Sequence, residues 1–421
     1  MMLMEHNKIP YEKVLDSLND NLNTIYISGT GTGKSFICMS VIEKLQLKTL
    51  YVYPKHIIGK GIRKYKEFKD IEHLVSFTTF NSFTTPEKSY EILGEYDLIV
   101  IDECHHLLSD VYGNNLYNAY KNSDNLKVLG LTATPVIGGV SCVSLFDNSV
   151  EGLSVMDAIE VGLMPTIDYN IACQGITKDL LKSHLFTDID VEIDIDKSYD
   201  ILKKLICVKQ IDKWVCFFND SKQLLDMYDT ITRLFDGYKV IPVLSKLDNL
   251  DSSMLEASLN KKVVILTCMM FTEGVHLSGI RGILILRNIT SPSLFMQVIG
   301  RVCKIGTHNP PTVIDCSRSA YSLLYMFAKR SFKHSNSCLE KNKNPIVKIT
   351  INGIREVSNE ELCNIFEKIS SPIVFRGVKY SSYVDICDDY NISIADILKC
   401  QKDFKISKIQ AISTLISKIR N

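Results

Sequence analysis

Several features are missing from this sequence of 421 residues, and each absence excludes a class of protein. No apolar run reaches the roughly 18 residues of a membrane span, and the first residues, MMLMEHNKIP, lack the apolar segment of a secretion signal. An excess of positive charge is also missing, because the chain has 48 Lys and Arg and 48 Asp and Glu. This balance excludes a histone-like basic protein. We therefore expect a globular protein of two or three domains that stays in the cytoplasm.

Cysteine pairs at metal-binding spacing are also missing, although the chain has 13 cysteines. The closest two, Cys207 and Cys216, are nine residues apart, and no CxxC motif or Cys/His cluster has the spacing of metal ligands. We predict reduced, mostly buried thiols and no structural metal.

Short apolar runs rich in β-branched residues alternate with longer helical stretches, with a lapse near Asn170. This alternation is typical of parallel sheets with helices on both faces, so we predict an α/β fold with two such domains in tandem. The predicted strands are Thr24–Ser28, Thr49–Tyr53, Leu98–Asp102, Lys127–Thr132, Trp214–Phe218, Val240–Val243, Lys262–Thr267, Gly282–Leu286 and Thr312–Asp315.

Changes in composition along the chain give the predicted boundaries. The first domain covers residues 1–165 and the second residues 166–320, both of ordinary domain size. A polar segment rich in helix breakers marks a linker over residues 321–345, and a small, mostly helical domain follows over residues 346–421.

A glycine-rich loop joins the first predicted strand to a helix, which is the arrangement of a phosphate-binding P-loop. Successive backbone N–H groups of such a loop converge on phosphate, a lysine adds positive charge and a hydroxyl can bind Mg²⁺. A glycine-rich turn without a ligand is the alternative. The loop residues are Ser28, Gly29, Thr30, Gly31, Thr32, Gly33, Lys34 and Ser35, with Ser28 where the motif has its first glycine.

Two carboxylates follow the apolar strand Leu98–Ile101 and stand at the carboxyl edge of the sheet, where α/β proteins bind ligands. Asp102 suits Mg²⁺ coordination and Glu103 can polarise a water molecule. An acidic turn without chemistry is the alternative. His105 and His106 come next, and we expect local packing rather than metal binding from adjacent histidines.

Five short motifs follow one another along the chain: SGTGTGKS, DECH, LTATP at Leu131–Pro135, TEGVHL at Thr272–Leu277 and QVIGRVCK at Gln297–Lys304. Their order and approximate spacing are those of the motifs in superfamily 2 helicases. The chain resembles the DEAD/DEAH-box helicases, in the group of type III restriction translocating subunits and excision-repair helicases. The resemblance covers about residues 1–320 and implies two tandem RecA-like P-loop domains with ATP and Mg²⁺ as cofactors.

The resemblance also implies roles within the first domain. Lys34 and Ser35 would hold the β- and γ-phosphates and Mg²⁺, with Asp102 helping to bind the metal. Glu103 would be the catalytic base or the residue that positions water. Thr132 and Thr134 match the hydroxyl pair that couples hydrolysis to domain movement, although hydroxyls at this point can also cap the next turn.

In the second domain, Gln297 and Arg301 match groups that reach across the cleft, Arg301 as an arginine finger. The family's second arginine is Lys304 here, which keeps the charge without the bidentate geometry. Glu273 and Gly274 match the motif that lies beside the nucleotide. In front of the P-loop, Glu12 replaces the family's adenine-reading glutamine, so strict ATP selectivity stays open.

The carboxyl-terminal segment contains VFRGVKYSSYVDICDDYNIS, residues 374–393. This stretch resembles the opening of the small helix-turn-helix modules of phage and homing-endonuclease proteins, which implies DNA binding and a bacterial or phage-infected host cell. Residues 321–421 contain 16 Lys and Arg against 10 Asp and Glu, and residues 1–320 contain 32 against 38. A basic carboxyl-terminal segment beside an acidic pair of domains is typical of a DNA-anchoring module. A helical cap whose lysines form a solvent-exposed face explains the same charge excess equally well.

We therefore expect an ATP-hydrolysing helicase or translocase on single-stranded, duplex or branched DNA. An RNA helicase is the alternative within the same class, because the motifs do not distinguish the two sugars. An ATP-switched clamp that binds nucleic acid without separating strands is the alternative from another class.

Overall fold

The computed structural model describes the chain in segments, and the chain divides into two compact units. One unit comprises Met1–Leu323 with Leu339–Val357, and the other comprises Leu324–Cys338 with Ser358–Asn421. No helix among the described residues is long and apolar enough to cross a membrane. The described residues are 3–54, 62–63, 65–108, 110–123, 125–137, 140–172, 195–243, 250–268, 279–289, 292–300, 302–303, 305–306, 309–317, 347–351, 355–356, 373–375, 378–380, 386, 390, 400 and 408–419.

The first sheet has six strands, all parallel, in the order β3-β2-β4-β5-β1-β8. A short antiparallel pair, β6 and β7, follows β5. The strands are β1 (Thr24–Ile27), β2 (Thr49–Tyr53), β3 (Val75–Thr79), β4 (Leu98–Asp102), β5 (Lys127–Thr132), β6 (Val136–Ile137), β7 (Val140–Ser141) and β8 (Asn148–Glu151).

Helices cover both faces of this sheet, because alternate residues of its central strands are apolar on both sides. Leu98 and Val100 of β4 lie in a core with the first two helices, whereas Ile99 and Ile101 lie in a second core on the opposite face. The helices of this domain are α1 (Glu5–Asn19), α2 (Lys34–Leu45), α3 (Pro86–Leu93), α4 (Asp110–Lys121) and α5 (Val155–Glu160).

The second sheet has eight strands in the order β11-β12-β10-β13-β14-β9-β15-β16, parallel except for β16 at the edge. Its strands are β9 (Ile167–Ile171), β10 (Lys213–Phe218), β11 (Lys239–Val243), β12 (Val263–Thr267), β13 (Gly282–Leu286), β14 (Thr312–Asp315), β15 (Val347–Ile351) and β16 (Arg355–Glu356). Its helices are α6 (Ile195–Lys209), α7 (Ser221–Asp226), α8 (Tyr228–Leu234), α9 (Leu250–Leu259) and α10 (Pro292–Ile299).

All of the predicted strands are present, and the prediction of two tandem parallel-sheet domains is confirmed. The sequence analysis missed β3, β6, β7, β8 and β9, and it missed the pairing of β15 with the second sheet. The last of these bears on the predicted boundary at residue 346, because Val347–Ile351 pairs in parallel with Ile167–Ile171 of the second sheet. These residues thus belong to the second parallel sheet rather than to the small domain in which the prediction placed them.

The second unit contains the hairpin β17 (Ile373–Phe375) and β18 (Val378–Tyr380) and the helix α11 (Lys408–Ile419). Its described core consists of Phe375, Ile386, Cys400, Ala411, Ile412 and Ile416. The remainder of the predicted helix-turn-helix module lies outside the described residues.

Candidate nucleotide site

The predicted phosphate loop lies between the end of β1 and the start of α2. Gly31 and Gly33 have φ angles of 79° and 102°, a left-handed conformation that glycine adopts without strain. Helix α2 begins at Lys34 without a side-chain cap, so its first amides face the loop. The Lys34 ammonium donates hydrogen bonds to the carbonyl oxygens of Ser28 (2.9 Å) and Gly29 (3.2 Å). The charge of this lysine therefore lies beside the loop backbone.

Ser28, which replaces the first glycine of the motif, is built into the base of the loop. Its hydroxyl lies 2.7 Å from Thr32 Oγ1 and donates to the Leu153 carbonyl over 3.0 Å. Both Ser28 and Thr32 are buried. The departure from the glycine pattern is thus compensated by hydrogen bonds that join the start of the loop to Thr32 and to the segment before α5.

Helix α1 supports the loop from behind through residues that the sequence analysis did not identify. His6 Nε2 lies 2.9 Å from the Thr32 carbonyl oxygen, and Asn7 Nδ2 donates to the same oxygen over 3.0 Å. A Cβ atom on Gly33 would lie 2.7 Å from Asn7 Nδ2, so a side chain there would displace the Asn7 amide that donates to the Thr32 carbonyl. Glu12 of the same helix is exposed.

Asp102 ends β4 at the carboxyl edge of the sheet, as predicted. Its Oδ1 accepts a hydrogen bond from the backbone N–H of Glu103 over 3.0 Å, and its Oδ2 accepts one from the Tyr51 hydroxyl over 3.1 Å. Burial, together with the neighbouring Glu103 charge, raises the pKa of Asp102 to about 6, against the lowering effect of Lys34. Added positive charge beside this carboxylate would therefore be stabilising.

Glu103 has a left-handed backbone with a φ angle of 49°, which is unfavourable for a residue with a side chain. Such strain is commonly kept at functional sites. Within the described part of the chain, Glu103 Oε2 is buried without a hydrogen-bond partner, and it lies 3.4 Å from His105 Nδ1. This oxygen can accept a proton or orient a water molecule.

His105 connects the acidic motif to the hydroxyl pair after β5. Its Nδ1 lies 3.0 Å from Thr132 Oγ1 and 3.5 Å from Thr134 Oγ1, and its side chain is 2% exposed. The backbone N–H of Thr134 donates to Thr132 Oγ1 over 3.0 Å, which closes a tight turn. The His105 ring packs against its neighbour His106 as predicted, with ring centroids 4.6 Å apart, but sequence reasoning missed its hydrogen bonds to Thr132 and Thr134.

The second domain reaches this network through Gln297. Its Nε2 donates a hydrogen bond to Thr134 Oγ1 over 3.3 Å, and both side chains are buried. Near the phosphate loop, a Cβ atom on Gly300 would lie 2.7 Å from Thr30 Cβ, so the two domains pack tightly here. Of the other predicted site residues in this domain, Glu273, Gly274, Arg301 and Lys304 lie outside the described residues.

The residues brought together fit a nucleotide phosphate with a divalent cation. Lys34 and the uncapped amides of α2 favour an anion, and the Asp102 carboxylate is an oxygen ligand of the kind that Mg²⁺ prefers. Ser35, the second residue of α2, adds a hydroxyl at the start of this helix. Among the described residues there is no cluster of three or more His, Cys, Asp or Glu side chains that could hold a metal on its own.

Two protein-family models match separate parts of the chain. Residues 1–137 match the model described as "Type III restriction enzyme, res subunit", and residues 197–306 match the "Helicase conserved C-terminal domain". The first match contains the phosphate loop and the acidic motif, and the second contains Gln297. The two models therefore fall on the two parallel-sheet domains in the order of a tandem helicase.

Two similar proteins are named as a restriction enzyme subunit and as a helicase. The chain is 21% identical over 350 residues to a type I restriction enzyme EcoAI endonuclease subunit of Escherichia coli, covering 70% of this chain and 43% of that protein. It is 20% identical over 345 residues to a protein named as an ATP-dependent RNA helicase from Acanthamoeba polyphaga mimivirus, covering 74% and 63%.

Among solved structures, the type ISP restriction-modification enzyme LlaBIII bound to DNA shares the fold, with a TM-score of 0.59 and 15% identity. The match covers 87% of this chain and 32% of that one, so this chain spans less than half the length of either restriction enzyme. The two family matches, one on each parallel sheet, show that this chain is similar to helicases and to type I and type III restriction enzymes.

Proposed function

We propose that this protein is an ATP-dependent helicase or translocase that acts on DNA. The observation that carries the proposal is the hydrogen bond from Gln297 to Thr134, because it joins the second domain to the hydroxyl pair beside Glu103. A change at the nucleotide can thus be transmitted to the second domain through a short chain of buried side chains.

Nucleotide binding is the first step of this proposal. Lys34 exchanges its bonds to the loop carbonyls for the β- and γ-phosphate oxygens, which also accept from the first amides of α2. Ser35 and Asp102 would hold Mg²⁺, which when bound neutralises charge on the phosphates. His6 and Asn7 keep the loop in shape by holding the Thr32 carbonyl.

Hydrolysis follows at Glu103. Its buried Oε2 orients the attacking water and accepts the proton, and His105 beside it keeps the carboxylate in place. The resemblance assigns Arg301 the stabilisation of charge on the transferred phosphoryl group, with Lys304, Glu273 and Gly274 nearby in the cleft. These four positions are proposed from their motifs alone.

Coupling uses Thr132, Thr134 and Gln297. Loss of the γ-phosphate changes the charge beside Glu103, and His105 passes this change to the threonine hydroxyls. The bond to Gln297 then breaks and the two domains separate, which moves one domain along a bound strand in each cycle.

DNA is the favoured partner because the first domain matches a restriction-enzyme model, and two similar proteins act in restriction systems. The basic residues 321–421 are proposed as the DNA anchor. RNA is the second candidate, supported by the similarity to a protein named as an RNA helicase.

The test is the steady-state ATPase rate with single-stranded DNA, duplex DNA, branched DNA and RNA as stimulants. We expect one or more of the DNA ligands to raise the rate at least about tenfold more than RNA does. Stimulation by RNA alone would contradict the DNA proposal, and the absence of any ATP hydrolysis would contradict the enzymatic proposal as a whole.

A further inference from the structure

Tyr51 touches the candidate site although it belongs to none of its motifs. It lies in the middle of β2, and its hydroxyl donates a hydrogen bond to Asp102 Oδ2 over 3.1 Å. Strands β2 and β4 are adjacent and parallel, with Tyr51 opposite Val100. Because side chains alternate along a strand, Tyr51, Val100 and Asp102 share one face of the sheet, and the long tyrosine side chain reaches the carboxyl edge.

The surroundings of Tyr51 fix the position of its hydroxyl. The residue is 2% exposed. Its ring centroid lies 5.6 Å from that of Phe77 and 6.4 Å from that of Tyr53, in tilted contacts on the same face. A ring packed in this way has little freedom to move, so the donated hydrogen bond has a defined direction.

The two hydrogen bonds to Asp102 together define the plane of its carboxylate. The Glu103 N–H occupies one acceptor position on Oδ1, and the Tyr51 hydroxyl occupies one on Oδ2. An ionised carboxylate has about four such positions, so both oxygens keep a lone pair for another ligand. Partners of this kind orient metal ligands in many proteins.

We propose that Tyr51 is a positioning residue that holds Asp102 in the orientation required to bind Mg²⁺ with the nucleotide. The proposal rests on the proposed nucleotide function. The sequence offers a matched control in Tyr53, which shares the strand, the face and the ring contact with Phe77.

The test is the dissociation constant of ADP, measured by titration calorimetry with and without Mg²⁺, for the wild type, Tyr51→Phe and Tyr53→Phe. We expect Tyr51→Phe to bind metal-free ADP within about twofold of the wild type and to lose about tenfold of the gain in affinity that Mg²⁺ provides. Tyr53→Phe should keep the full gain. A full gain in Tyr51→Phe, or an equal loss in Tyr53→Phe, would overturn the proposal.

A double-mutant cycle with Asp102→Asn separates positioning from a general effect on folding. Because Tyr51 acts through Asp102, adding Tyr51→Phe to Asp102→Asn should leave the remaining Mg²⁺ effect unchanged within about twofold. A further tenfold loss would contradict the positioning role. If ADP binding by the wild type is independent of Mg²⁺, the proposed nucleotide function itself fails, which is a different result from an unaffected Tyr51→Phe variant.

Discussion

Lys34 and Glu103 carry opposite charges, so we expect their replacement to affect nucleotide binding and turnover differently. Lys34→Ala removes the cation that contacts the phosphate loop, so we expect weaker nucleotide binding as well as loss of turnover. Glu103→Gln keeps the size of the side chain but cannot accept a proton, so nucleotide binding should persist while kcat falls at least about a hundredfold. Nucleotide titration beside steady-state ATPase measures both effects, and turnover near the wild-type rate in either variant would refute the site assignment.

The Asp102 carboxyl gives the site a pH dependence. Its pKa in the metal-free protein is about 6, above the ordinary value of 3.8, so the folded state binds more protons than the unfolded state between these values. This carboxyl therefore stabilises the fold progressively less as the pH rises through that range. Below pH 6 protons compete with Mg²⁺.

The expected result is that the Mg²⁺ concentration for half-maximal ATPase activity rises up to about tenfold for each pH unit below 6 and is nearly constant above it. Mg²⁺ titrations at pH 5 to 8 check this dependence. A half-maximal concentration that does not change between pH 5 and 7 would show that Asp102 is not the titrating ligand.

At the scale of elements, β15 is a part of the second sheet that lies far along the chain from the strand it pairs with. A chain that ends at residue 345 lacks this strand and exposes the edge of β9, whereas a chain that ends at residue 357 keeps it. We expect the shorter chain to unfold roughly 5 °C or more below the longer one, since the loss of a few kcal/mol has this effect in a domain of such size. Thermal unfolding followed by circular dichroism measures the difference, and equal transitions would contradict the assignment.

Contact between the phosphate loop and the second domain depends on the absence of a side chain at Gly300. A methyl group there would lie 2.7 Å from Thr30 Cβ, so Gly300→Ala should hold the domains apart and lower kcat/KM at least about tenfold. Thr30→Gly in the same chain removes that clash and should restore part of the activity. A double variant no more active than Gly300→Ala would show that this contact does not control closure.

The elements that the sequence predicted and those it missed differ in burial. The runs at Leu98–Asp102 and Gly282–Leu286 are apolar because helices cover both faces of a central strand. Strand β3 is half-exposed and β8 is polar at the sheet edge, so neither has an apolar run. The local sequence does not predict that β15 pairs with β9, because that pairing joins residues far apart in sequence.

The candidate site divides in the same way. The phosphate loop and the acidic motif are each contiguous in sequence, so their positions, between a strand and a helix and at the end of an apolar strand, could be predicted from local sequence. Tyr51, Asn7 and His105 act through contacts between separate elements, which a single sequence does not specify. For His105 a signal existed, since it directly follows the acidic pair and Cys104 in the motif DECH.

For the whole molecule, the net charge of zero divides into −6 for residues 1–320 and +6 for residues 321–421. An acidic pair of domains has little attraction for nucleic acid at long range, so we expect the basic segment to provide much of the initial encounter. The sites that hold a strand during movement would then rely on short-range contacts to phosphates.

The most direct test of the account is displacement of a labelled strand from duplex or triplex DNA, measured beside ATP hydrolysis in the same reaction. We predict displacement with ATP, none with a non-hydrolysable ATP analogue, and none by Glu103→Gln. Hydrolysis stimulated by DNA without displacement from either substrate would contradict a helicase or translocase and would indicate an ATP-switched clamp.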